Sequence, residues 1–163
     1  MRPASRLLPP APGASARPRR PARAQSGARV AVIDSGVDLD HRDLNAASGT
    51  NCVAPGAPAD DENGHGTHVA GTVAGRNDGA GVVGVAPGTK VDAVKVLDAT
   101  GSGTASQVIC GIDWVTSTRT DSDPANDIAV ANMSLGGLGP PVRDCATTTD
   151  PSTRRSAPPP PKA

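Results

Sequence analysis

Residues 63–75 read Asn-Gly-His-Gly-Thr-His-Val-Ala-Gly-Thr-Val-Ala-Gly, with two histidines, four glycines and two alanines in thirteen positions. Such small residues make sense if a helix begins near His65 and lays its small face against another backbone. In the first turn, the unpaired N–H groups and the positive end of the macrodipole oppose a charged imidazole. A neutral His65, able to accept a proton, is therefore expected. Capping or surface histidines on a glycine-rich turn are the plainer alternative. A zinc motif is weaker, because His65 and His68 are three apart with no Glu between them, whereas the helical motif sets His at i and i+4 beside an acid.

A second stretch upstream decides the matter. Val30-Ala31-Val32-Ile33 is a short apolar run ending in Asp34-Ser35-Gly36. That is the pattern of a fully buried parallel strand delivering a residue to its carboxyl end, where ligands gather in open α/β sheets. Asp-Ser-Gly also suits an ordinary turn. A rival reading is the aspartic protease loop, which likewise follows an apolar run with Asp-Ser/Thr-Gly. That enzyme shares a proton between two such loops; this chain supplies one and would have to dimerise through Asp34. The His65 motif has no use there.

Together, VAVIDSGVDLDH at 30–41 and NGHGTHVAGTVAG at 63–75 resemble the Asp and His motifs of the subtilisin-like serine protease family, the subtilases (peptidase S8). They stand in the family's own order, and two long motifs in order are far more specific than either triplet. GVVGVAPGTKVDAVKVLDATGSGTASQVICGIDWV at 81–115 resembles the family's next strand, turn and helix. Within it, Val91, Ala93, Val94 and Val96 mark a strand over Lys90 to Leu97, and Val108, Ile112 and Val115 make a helical stripe. Asp127 to Ser134 reads as the following strand. Asn132-Met133-Ser134-Leu135-Gly136-Gly137 resembles the segment lining the family's first specificity pocket. The fold implied is α/β, an incomplete subtilisin-like three-layer arrangement with a mostly parallel sheet and right-handed crossovers, flanked by disordered tails.

The resemblance also implies roles. Asp34 would orient His65, and His65 would take a proton from a serine and pass it to the leaving amine. Gly101, Ser102 and Gly103 on one side, and Ser134, Leu135 and Gly136 on the other, would flank an extended peptide or protein substrate bound as an added strand. A structural calcium ion would draw on Asp43 and on the Asn77-Asp78-Gly79-Ala80 loop, with Asp78 as its second carboxylate; an ordinary polar loop is the alternative. The family's serine lies in a Gly-Thr-Ser-Met-Ala type motif and its oxyanion asparagine in an Ala-Gly-Asn segment. Neither string occurs in these 163 residues. The chain alone is thus expected to be inactive, either as a truncated or frame-disrupted protease or as a peptide-binding pseudo-protease. A missing C-terminal half could act in trans.

The partial catalytic domain is assigned to residues 29–150, between a disordered Arg/Pro-rich segment at 1–28 and a Pro-rich tail at 151–163. No apolar run near the start is long enough for a signal peptide, so secretion is expected only from the family resemblance. Arg17, Arg19, Arg20 and Arg23 lack interleaved aromatics, and a solvated arm is expected there, not a nucleic-acid or membrane contact. With one Trp and no Phe or Tyr, the core must come from Val, Ala, Ile and Leu, and a poorly cooperative melt is expected. Cys52, Cys110 and Cys145 allow one disulfide and one orphan, in a pairing that sequence leaves open.

Overall fold

The computed structural model describes residues 27–137. The Arg/Pro-rich segment up to residue 26, Cys145 and the Pro-rich tail lie outside the described residues. Four strands form one parallel sheet: β1 (Arg29–Asp34), β2 (Asn45–Asn51), β3 (Lys90–Lys95) and β4 (Val130–Asn132), in the order β2-β3-β1-β4. Helix α1 (His65–Ala74) connects β2 to β3, and α2 (Ala105–Ser117) connects β3 to β4.

The alternation of side chains along the central strands produces the three layers. Ala31 and Ile33 of β1, with Val94 and Val96 beyond it on the β3 segment, join Val108 and Ile112 of α2 in one core. Val32, Val91 and Ala93 point the other way and join Ala70 and Ala74 of α1. Both faces of β1 and β3 are therefore covered, which explains their continuous apolar runs. The small residues read as a packing face do that work. Ala70 and Ala74 are fully buried, and a Cβ on Gly111 of α2 would lie 2.7 Å from a Val96 methyl. The helix α2 begins with a capping box, in which Thr104 accepts from the Gln107 N–H and the Gln107 side chain accepts from the Thr104 N–H.

Three boundaries differ from the sequence reading. The strand expected over Lys90 to Leu97 ends at Lys95, because the N–H groups of Val96 and Leu97 both turn to the Asp34 carbonyl at the end of β1. The strand expected over Asp127 to Ser134 shrinks to Val130–Asn132, with the preceding Ile128 N–H donating instead to Thr118 Oγ1. The strand β2 is an addition. Its sequence, Asn-Ala-Ala-Ser-Gly-Thr-Asn, has little strand propensity, and its ladder with β3 shifts register between Ser48 and Thr50. At Gly49 a Cβ would meet the Trp114 ring at 2.6 Å, so the lone aromatic of the chain lies over this irregularity.

Cys52, just beyond β2, is bonded to Cys110 of α2 with a Cα–Cα distance of 6.1 Å. This resolves the open pairing and fastens the edge of the sheet to the helix covering it. Closing a loop of 58 residues lowers the entropy of the unfolded chain by the equivalent of about 4 kcal/mol. Replacing both partners, Cys52→Ser with Cys110→Ser, should lower the free energy of unfolding by up to that amount, read from denaturant melts at neutral pH.

Candidate active site

The carboxyl end of β1 delivers Asp34, fully buried, into the turn Ser35-Gly36. Its Oδ1 accepts from the Ser35 N–H at 2.7 Å and lies 2.7 Å from His65 Nδ1 at the start of α1. The helix reaches this position because two glycines let the backbones meet. A Cβ on Gly66 would fall 2.0 Å from the Gly36 carbonyl oxygen, and one on Gly36, whose φ is 109°, would fall 2.3 Å from the Asp60 carbonyl oxygen. The Gly66 N–H also donates to Ser35 Oγ at 3.0 Å.

The His65 side chain is half exposed, whereas its partner carboxylate has no exposure. The hydrogen bond to Asp34, with the charge of that carboxylate and a smaller contribution from Asp61, raises the His65 pKa against the opposing effect of desolvation. The buried carboxylate thus opposes the effect expected of the helix dipole on the ring. A full buried charge in direct contact outweighs about half a charge spread over the N-terminal N–H groups.

Beside His65 opens a groove of about 910 Å³, and all six residues expected to flank a peptide line it: Gly101, Ser102 and Gly103 on one side, Ser134, Leu135 and Gly136 on the other. Leu97, Val108, Ile112 and Met133 give it an apolar lining. The first wall is shaped by Asp98, which accepts from the Thr100 N–H at 2.8 Å, the Thr100 hydroxyl at 2.6 Å and the Ser102 N–H at 3.1 Å. These bonds, the Thr100 hydroxyl foremost, hold its carboxyl below the usual range. At Gly103 a Cβ would stand 2.3 Å from the Val96 carbonyl oxygen, so this position too requires the smallest residue.

Of the two proposed metal ligands, Asp43 lies against the loop after α1. Its Oδ1 accepts from the Arg76 N–H at 3.1 Å, and its Oδ2 would be 3.3 Å and 3.8 Å from Cβ atoms built on Gly75 and Gly81. One carboxylate oxygen thus faces the backbone at Gly75 and Gly81. Asp78 instead turns an oxygen to the Ala80 N–H of its own loop at 3.1 Å. No group of three or more His, Cys, Asp or Glu side chains able to hold a metal occurs among the described residues.

Sequence reasoning passed over the loop before α1. There, Asp61 gathers hydrogen bonds from several groups around the helix start, Glu62 Oε2 receives the buried Lys95 Nζ at 2.5 Å, and Asn63 Nδ2 donates to the Ala99 carbonyl in the groove wall at 3.0 Å. Their only signal was a run of polar residues immediately before the histidine.

A parallel sheet wrapped on both faces, presenting a buried carboxylate bonded to a histidine beside an open groove, is an α/β architecture with its candidate site at the carboxyl ends of the strands. The family model described as the subtilase family, Peptidase_S8, matches residues 25–158. Subtilisin of Bacillus pumilus is 50% identical over 113 residues, which make up 69% of this chain and 38% of that protein. Subtilisin E of Bacillus subtilis (strain 168) is 50% identical over 113 residues, 69% of this chain and 28% of its own length. The crystal structure of a cold adapted subtilisin-like serine proteinase aligns with a TM-score of 0.55 at 43% identity, over 68% of this chain and 37% of that one. The chain belongs to the subtilase family and spans well under half the length of these relatives.

Two outcomes follow from the geometry. Because the His65 pKa is higher folded than unfolded, its pairing adds stability that is fully present below the ordinary imidazole value of 6.5 and is lost as pH rises through the raised midpoint. The stability advantage of the native chain over His65→Gln should shrink across that window in denaturant melts at stepped pH. Gly66→Ala should cost about 2 kcal/mol or more, because the clash is with backbone, and should abolish the downfield imidazole signature of the Asp34 pairing in NMR spectra.

Proposed function

We propose that this chain carries the Asp–His portion of a serine endopeptidase that hydrolyses peptide bonds in protein substrates. The observation that carries the reading is the 2.7 Å bond between buried Asp34 and half-exposed His65, beside a groove of about 910 Å³. In this mechanism Asp34 keeps the proton on Nδ1 and stabilises the imidazolium. The other ring nitrogen takes the proton of a serine hydroxyl as that oxygen attacks the carbonyl carbon, then returns it to the leaving amine. The substrate pairs as a strand with the backbones of 101–103 and 134–136, and the apolar groove lining favours a peptide with an apolar side chain there. The nucleophile and the oxyanion asparagine belong to a segment carrying the family's serine motif, which these 163 residues do not contain. The chain alone then binds peptide without cleaving it.

Calcium, if bound as the resemblance implies, would draw on the Asp43 carboxylate and on oxygens of the 77–80 loop, where it would neutralise the carboxylate. Asp78 is the weaker candidate ligand, since it already caps its own turn. The Cys52–Cys110 bond supports an oxidising compartment and hence secretion. No helix among the described residues is long and apolar enough to cross a membrane. A dimeric aspartic protease built on Asp34 is disfavoured because Asp34 is fully buried, out of reach of a facing aspartate, and is already paired with His65.

The test combines the purified chain with a separately expressed segment bearing the serine and asparagine motifs. The chain alone should bind peptides saturably without turnover. The combination should hydrolyse them and lose activity to a fluorophosphonate, and Asp34→Asn should lower kcat about 10⁴-fold. Turnover by the chain alone, blocked by a transition-state mimic of aspartic proteases, would overturn the reading.

A further inference from the structure

Asp61 accepts more hydrogen bonds than any other side chain described around the Asp34–His65 pair. Its Oδ1 takes the Ser35 hydroxyl at 2.9 Å, the Asn63 N–H at 3.0 Å and the Gly64 N–H at 2.9 Å. Its Oδ2 takes the Thr67 N–H at 2.9 Å and the Thr67 hydroxyl at 2.6 Å. The Ser35 oxygen in turn accepts from the Gly66 N–H, and Thr67 Oγ1 accepts from the Asp38 N–H at 2.9 Å. One carboxylate therefore ties both sides of the functional pair: the turn that follows Asp34 and the helical turn that begins with His65.

This is a larger role than helix capping. The residue before His65, Gly64, has no side chain with which to cap α1 and adopts a left-handed φ of 95°. The N–H groups of Gly64 and Thr67 go instead to Asp61, three residues upstream of Gly64, while that of Gly66 goes to Ser35 Oγ and that of His65 to Asn63 Oδ1. The Asp61 carboxylate reaches its share of them while also gripping Ser35. Burial pushes the Asp61 pKa up, but the bonds from Thr67, Gly64 and Ser35 together outweigh it and hold the group below its usual range, so it stays charged at neutral pH. Charged, it adds to the field of Asp34 on the imidazole.

We propose that Asp61 is a positioning residue for the His65 base, setting the Asp34–His65 distance by clamping the Ser35 turn to the first turn of α1. The proposal rests on the reading of His65 as a base, and it assigns the alignment of that base to a side chain outside the reacting set. Neutralising Asp61 to Asn turns one acceptor into an amide donor facing the Thr67 N–H, so the clamp opens on one side while the volume is kept.

The test follows His65 in the full chain by NMR titration of imidazole carbon-bound protons, with the His41 and His68 signals removed by His41→Gln and His68→Gln. Asp61→Asn, Thr67→Val and Asp34→Asn are compared with the parent by the same titration, and circular dichroism and melting temperature report the fold. The expected result is a His65 midpoint that drops clearly in Asp61→Asn, drops less in Thr67→Val and drops most in Asp34→Asn. If Asp61→Asn fails to fold, Thr67→Val decides, since it removes only one side chain of the clamp. A lower melting temperature with the His65 midpoint unchanged in the folded variants would overturn the proposal and leave Asp61 a purely structural cap. A midpoint unmoved even by Asp34→Asn would instead overturn the base reading itself.

Discussion

The closest backbone approach at the site is that of the first turn of α1 to the turn that ends β1, and the chemistry depends on it. With Gly66 above the Gly36 carbonyl, no side chain separates helix from sheet, and His65 can reach a carboxylate that has no solvent exposure. A buried carboxylate is costly unless it is paired and hydrogen-bonded. Asp34 meets that condition only because the helix supplies an imidazole, so the packing of α1 and the charge state of the site are one constraint. The same contact explains why small residues recur along the helix. Each turn of α1 that faces the sheet must be as thin as the first, and Ala70 and Ala74, both fully buried, continue the line set by Gly66.

The sheet holds this end in place through charges arranged differently at its amino and carboxyl ends. At the amino end, Arg29 on β1 grips Asp92 on β3, with Nε donating to Oδ2 at 2.9 Å and a second nitrogen engaging Oδ1, while Nη1 donates to the Ala125 carbonyl at 3.1 Å. Both carboxylate oxygens are used, in the fork geometry that makes arginine suited to such pairs. At the carboxyl end, Lys95 stands in register beside Asp34 and extends its buried ammonium to the Ser35 carbonyl and to Glu62. The turn after β1 is thereby held from β3 as well as from α1. Glu62 itself is held below the usual carboxylate range by the Lys95 hydrogen bond.

What was legible in the sequence follows from where the information resides. The strand β1 and helix α1 showed themselves because a continuous apolar run and a string of small residues are local patterns, and their juxtaposition came with the resemblance carried by both motifs. The groove residues followed from the same resemblance. The strand β2 was invisible because Asn45–Asn51 carries no apolar alternation; it is a strand by virtue of pairing with β3 and of Trp114 covering Gly49, both set by tertiary contacts. The Cys52–Cys110 pairing depended on α2 lying over the end of that unseen strand, and so could not be deduced. Asp61 escaped for another reason. Its partners are mostly backbone N–H groups, which every residue possesses, so no residue type in the sequence advertises them.

The two fully buried aspartates of the central strands show why one end of this sheet is structural and the other is poised for chemistry. Asp92 and Asp34 are equally inaccessible, on neighbouring strands of the same sheet. Asp92 has both oxygens satisfied by a guanidinium that cannot lose its charge at any accessible pH, so the pair is closed. Asp34 has Oδ1 shared between the Ser35 N–H and His65, and Oδ2 buried without a partner among the described residues. A second donor on Oδ2 would stabilise the carboxylate further but would also dilute its hold on the imidazole. Its partner, unlike arginine, can give up a proton near neutral pH. Asp34 is thus bonded to a ring that can exchange a proton, whereas Asp92 is bonded to a fixed charge and ties one strand to the next.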